Sequence, residues 1–169
     1  NNGDLQLRGN GVLADDFSWA GGISNLNLLH PAVGSWKQGG KAVVAVSQES
    51  AEVDKFCLKS QDEKICFSGD WDQQAKSWNA DVNWQQIDLA RLNEVVSMPQ
   101  PVTGRSNAQF SASGDLVGIA NAKGVLEVHE AGFEQVAGTE SEWDGLQLDN
   151  ATLKVNLQNE KLKTDLAAD

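Results

Sequence analysis

Apolar residues recur at every second position through most of this chain, and Gly, Asn or Asp closes most of the runs. That period fits strands with one apolar and one polar face, and the punctuation fits hairpin turns. Leu5 and Leu7 open the pattern ahead of Arg8-Gly9-Asn10-Gly11. Phe17, Trp19 and the run from Ile23 to Leu29 follow, then a break at His30-Pro31 with a turn through Gly34. Trp36 and Val43-Val44-Ala45-Val46 flank Gly39-Gly40, while Trp78, Ala80, Val82 and Trp84 alternate and so must share one face. Beyond Thr103 the runs are separated by turns expected at Ser113-Gly114-Asp115, Ala122-Lys123-Gly124, Asp149-Asn150 and Asn159-Glu160, with a further strand expected from Phe133 to Val136. About a dozen short strands of this kind make an all-β antiparallel meander. With too little helix to cover the apolar face, the sheet must curl into a sandwich, a closed barrel or an open trough.

One segment departs from the period. Apolar residues at 89, 92, 95 and 96 have helical spacing, Asp88 is an N-cap candidate, and Met98-Pro99-Gln100-Pro101 stops the run. The spacing predicts one short helix near residues 89–96.

Cys57 and Cys66 sit in Phe56-Cys57-Leu58 and Ile65-Cys66-Phe67, two alternating runs joined by a polar turn between Lys59 and Lys64. A hairpin would set the cysteines opposite each other. A non-hydrogen-bonded antiparallel pair brings its Cα atoms to roughly 4.5 Å, within reach of a disulfide. A cross-strand bridge and an oxidising compartment follow from that reading; the alternative is two reduced core cysteines. Zinc is disfavoured, because His30 and His129 are distant and lack ligand spacing.

The 169 residues suit a single structural unit, expected to be a piece of a longer protein because a patterned segment starts at once. Twenty-four acidic against thirteen basic residues give a net charge of −11, which argues against nucleic acid and against electrostatic docking on anionic lipid. No apolar run approaches the ~18 residues of a spanning helix. No catalytic group, metal site or cofactor site is expected. Asp15-Asp16 lies beside a turn, where Asp serves local hydrogen bonds, and His129 falls on an alternating strand between Glu127 and Glu130, where a solvated role is expected. The glycine clusters at 9–11 and 114–118 do not open a helix, so they do not make a phosphate loop. The six tryptophans fit packing within a β protein better than stacking on ligands.

Cys57-Leu58, Ile65-Cys66-Phe67, Gly69-Asp70-Trp71, Trp78-Asn79-Ala80, the Leu89 to Leu92 helix and Pro99-Gln100-Pro101, in that order, resemble a central to C-terminal segment of the TamB family of the translocation and assembly module. Leu5 to Gly9, Gly22 to Leu26, His30 to Trp36 and Gly104 to Leu126 are similar to the same family. The resemblance implies a non-enzymatic periplasmic segment of an inner-membrane-anchored, envelope-spanning protein of a Gram-negative bacterium. It also implies an elongated open trough with an apolar inner face and a TamA-like outer-membrane barrel subunit as partner. The roles attached to the family are autotransporter and other outer-membrane protein assembly, and phospholipid transport between membranes. On that reading residues 1–169 form one β-groove fragment, and Val44, Val82, Trp84, Phe110, Leu126, Leu153, Val155 and Leu157 line the groove. Its cargo would be phospholipid acyl chains or unfolded outer-membrane protein strands. Two other readings fit the same pattern: a module that binds client strands at a sheet edge, and a closed carbohydrate-binding sandwich.

Overall fold

The computed structural model describes residues 3–95, 101–133 and 147–169. Among these residues eleven strands form one antiparallel sheet: β1 (Asp4–Leu13), β2 (Trp19–His30), β3 (Gly34–Gln38), β4 (Ala42–Val46), β5 (Ser50–Ser60), β6 (Glu63–Asp72), β7 (Ser77–Asp88), β8 (Val102–Asp115), β9 (Ile119–Phe133), β10 (Gln147–Gln158) and β11 (Lys161–Ala168). Each strand pairs with its neighbours in sequence, except that β3 and β4 act as two halves of one strand between β2 and β5. The halves part at Gly39-Gly40-Lys41. There the Gln38 side-chain amide donates to Ile23 O and Gly40 O, both at 2.6 Å, and holds the broken edge against β2. Among the described residues β1 pairs only with β2 and β11 only with β10, so the described strands do not close into a barrel.

The strands are longer than the sequence punctuation suggests, up to the 15 residues of β9. Turns expected at Gly9-Asn10-Gly11, Ala122-Lys123-Gly124 and Asp149-Asn150 lie inside β1, β9 and β10, and β8 runs through Ser113 to Asp115 before turning at 116–118. The physical reason, where glycine is involved, is steric. A Cβ on Gly124 would strike the Phe110 ring, one on Gly114 would strike Trp78, and one on Gly11 or Gly21 would strike Trp19. Glycine here makes room for an aromatic ring, crossing from the next strand at Gly11, Gly114 and Gly124 and from the same strand at Gly21. Asn159-Glu160 does turn, with φ of 49° and 62° matching the doubly left-handed turn of a two-residue hairpin. The expected strand from Phe133 to Val136 lies outside the described residues after Phe133.

Helix α1 (Ala90–Val95) interrupts the meander where helical spacing predicts it, and Asp88 Oδ1 accepts from the Ala90 amide at 3.0 Å to cap its start. The Asn93 side chain then clasps β8, donating to Val102 O at 2.9 Å and accepting from Val102 N at 3.1 Å. Among the described residues, no helix is long and apolar enough to cross a membrane.

Cys57 and Cys66 are direct cross-strand partners joined by a disulfide, their Cα atoms 4.0 Å apart. Closing so short a loop stabilises by roughly 2–3 kcal/mol in the chain-entropy account. The bridge sits beside the gap between β3 and β4, where Gly39 N donates to Cys57 O at 2.8 Å. It therefore fixes register where β5 has lost part of its neighbouring ladder.

Candidate functional site

Direct partners in an antiparallel sheet project to the same face, so the registers assign every strand residue to one side. One row runs Phe56, Phe67, Val82, Phe110, Gly124, Val155, Thr164; the next runs Leu58, Ile65, Trp84, Ala108, Leu126, Leu153, Leu166. A third joins Val44 to Leu157 through Val53, Gly69, Ala80, Ala112 and Ala122. All eight residues expected in the groove, Val44, Val82, Trp84, Phe110, Leu126, Leu153, Val155 and Leu157, thus fall on one face. The rows on the opposite face are polar, for example Ser68, Asp81, Ser111, Lys123, Asn156, Lys163. The disulfide belongs to that polar face, in a row with Asn83 and Gln109.

Bulges keep the apolar set together. Register shifts between Val53 and Phe56 and between Trp84 and Ile87 each add a residue, so the odd and even positions exchange faces without turning an apolar side chain outward. The five described tryptophans, 19, 36, 71, 78 and 84, share the apolar face; Trp143 lies outside the described residues. Three of the ring nitrogens are tied down where the rings lie. Trp36 donates to Val33 O at 2.8 Å, Trp78 to Asp115 O at 2.9 Å and Trp84 to the Ser106 hydroxyl at 3.1 Å. Ring contacts at 5.1 Å (Phe56 with Phe67) and 5.6 Å (Trp84 with Phe110) pave the centre.

Little covers this face. Among the described residues only Trp36, Ala42, Phe56, Cys57, Cys66, Ala108 and Ala131 are buried apolar residues, whereas Leu7, Leu13, Leu162 and Leu166 are 61–74% exposed and even Phe67, in the middle of the sheet, is 43% exposed. A filled two-layer core would bury such residues. The tightest packing gathers at the end of the sheet that carries α1, with Trp36, Ala108, Ser60, Glu63 and Ser106 all buried.

That end holds a polar cluster the alternation did not single out. Glu63, 4% exposed, follows the β5–β6 turn and points to the apolar face, in line with Ile65 and Phe67. Its Oε1 accepts from the Asp88 amide at 3.0 Å, and its Oε2 lies 3.0 Å from Arg91 Nη2 as an ion pair whose angle is not that of a hydrogen bond. Arg91 also donates to Val33 O at 2.7 Å. One guanidinium therefore ties α1 to the β2–β3 turn and to β6. The signal available in the sequence was a charged residue at an apolar-face position, Glu63-Lys64-Ile65.

Among the described residues no group of three or more His, Cys, Asp or Glu is placed to hold a metal ion. His30 Nδ1 accepts from the Ala32 amide at 3.2 Å within its turn, and His129, half-buried rather than solvated, is 2.8 Å from Asn150 Oδ1 across the β9–β10 pair. Asp16 is held below the usual carboxylate range by hydrogen bonds from the Ser18 side chain and then its amide. That small support for the β1–β2 turn is present above the unfolded carboxyl pKa and is lost as pH falls through the lowered one.

No curated protein and no solved structure matches this sequence. The family described as TamB, N-terminal domain, matches residues 1–169; the match does not bear out the central to C-terminal placement that the resemblance implies. A match along the whole sequence, over an all-β chain, shows that this chain belongs to the TamB family of the translocation and assembly module.

Proposed function

We propose that the apolar face is a conduit surface, curved into an open trough, on which phospholipid acyl chains lie as they pass across the periplasm. The chain would be a non-enzymatic periplasmic segment of an inner-membrane-anchored protein, working with a TamA-like outer-membrane barrel. The observation that carries this reading is the apolar face itself, continuous from β1 to β11 and uncovered over most of its extent. Apolar contact stabilises by about 25 cal/mol per Å2 without any directional partner, so such a face can hold a tail and let it slide. The polar cluster of Glu63, Arg91 and Ser106 marks where the apolar surface stops.

A second cargo, the apolar residues of unfolded outer-membrane protein strands, would use the same face and support autotransporter assembly. A third reading is the addition of client strands at an exposed sheet edge. Native mass spectrometry of the chain purified from Gram-negative cells tests the lipid cargo. Adducts with phospholipid masses are expected, displaced by excess lipid-like detergent. A bare chain that also takes up no phospholipid from vesicles would contradict the proposal.

A further inference from the structure

The polar face carries one row of like charge. Lys37, Lys59 and Lys64 are direct partners on β3, β5 and β6, and the row runs on to Asn27 on one side and Gln85 on the other. Adjacent strands lie about 4.8 Å apart, so the three lysine stems leave the sheet within roughly 10 Å of one another. Lys59 and Lys64 stand two pairs along the hairpin from the Cys57–Cys66 bridge, whose Cα separation of 4.0 Å marks a non-hydrogen-bonded pair. Pairs alternate in kind, so the two lysines form another closely set pair.

Like charges directly opposite each other destabilise a sheet, and the chain supplies no counter-charge here. Among the described residues no carboxylate lies within ion-pair distance of these lysines, although the sequence has 24 acidic residues against 13 basic ones. Glu63 turns to the apolar face, and Asp62 lies exposed in the β5–β6 turn. Two glycines instead make beds for lysine stems on this face. A Cβ on Gly39 would meet the Lys59 stem at 3.1–3.3 Å, and one on Gly22 would strike the Lys41 stem. Lys41 is thereby a fourth cation beside the gap between β3 and β4.

We propose that this row is an anion site for a ligand that carries two linked phosphate groups, a diphosphate. An ammonium group is a point charge that takes phosphate without a fixed angle. One phosphate can bridge two neighbouring ammonium groups, so two linked phosphates engage all three lysines. An extended acidic peptide fits less well, because side chains on one face of a strand recur only about every 7 Å. The site lies on the face away from the acyl-chain surface and does not rest on the conduit reading.

Isothermal titration of the 169-residue chain with inorganic pyrophosphate at low salt tests this. A Kd of about a millimolar or tighter is expected. Lys59→Gln, and independently Lys37→Gln, should weaken binding by about tenfold, the scale of one charge-assisted hydrogen bond. Lys154→Gln, on β10 of the same face, should leave it unchanged. Without pyrophosphate the first two variants should melt no lower than the parent, since each relieves repulsion. Flotation with phosphatidylcholine vesicles, with and without a prenyl diphosphate, separates the sources: capture that needs the diphosphate assigns a lipid headgroup, and pyrophosphate binding without capture assigns a soluble diphosphate. Binding of neither probe would overturn the proposal. So would an equal loss in Lys154→Gln, a lower melting temperature in both row variants, or a polyglutamate peptide that binds more tightly than pyrophosphate.

Discussion

Replacing Val82 and Val155 together by Asp will abolish acyl-chain binding while leaving the sheet folded. The two sit in one row of the apolar face, on either side of Phe110 and Gly124. A tail lying along that row would have to strip water from two carboxylates, a cost of several kcal/mol set against about 0.8 kcal/mol for each buried methylene. Binding of a fluorescent fatty acid or phospholipid should fall by at least about tenfold, equivalent to about 1.4 kcal/mol. The fold should survive because Val82 and Val155 are only half-buried and the new carboxylates can remain hydrated, costing about 1–2 kcal/mol each. Circular dichroism checks that condition. If the cargo instead added to a sheet edge, proline at Gln6 of β1 would be the damaging change and these two carboxylates would matter little.

Arg91→Ala should be among the most destabilising substitutions at the surface of α1. It leaves the Glu63 carboxylate buried without its counter-charge and unties the helix from Val33 O. Breaking a buried pair on one side costs 3–5 kcal/mol in general; with the Arg91 side chain 27% exposed, ~2–3 kcal/mol is expected. Glu63→Gln combined with Arg91→Met removes both charges and keeps an acceptor for the Asp88 amide, so most of the loss should be recovered. Urea unfolding of the two variants against the parent measures both values. An Arg91→Ala protein within about 0.5 kcal/mol of the parent would show that the contact does not hold that end of the sheet.

How legible these features were depends on what each one needed. A strict period of two assigns faces without knowledge of which strands pair, so Trp78, Ala80, Val82 and Trp84 could be put on one side from sequence alone. The cysteine hairpin was legible for the same reason, as was α1 from its change of period and the Asn159-Glu160 turn. Glycine misled because it has two uses that local sequence does not separate. At Gly124 and Gly11 it clears space for an aromatic ring on the adjacent strand, a fact about neighbours and not about the local chain. The Glu63–Arg91 pair joins residues 28 apart in sequence and became visible only when the β5–β6 turn and α1 were brought to the same end. The extent of the uncovered face was likewise a property of the assembled sheet, because alternation predicts a covered face and a bare one equally well.

Phe110 and Gln109 are chain neighbours that the register sends to opposite faces. The most direct test of the conduit surface puts a photo-activated benzophenone amino acid at each in turn, irradiates the chain in Gram-negative cells, and looks for covalently attached phospholipid by mass spectrometry. Cross-linking from position 110 and not from position 109 is the predicted result. Equal labelling at both positions, or phospholipid at neither, would contradict the account.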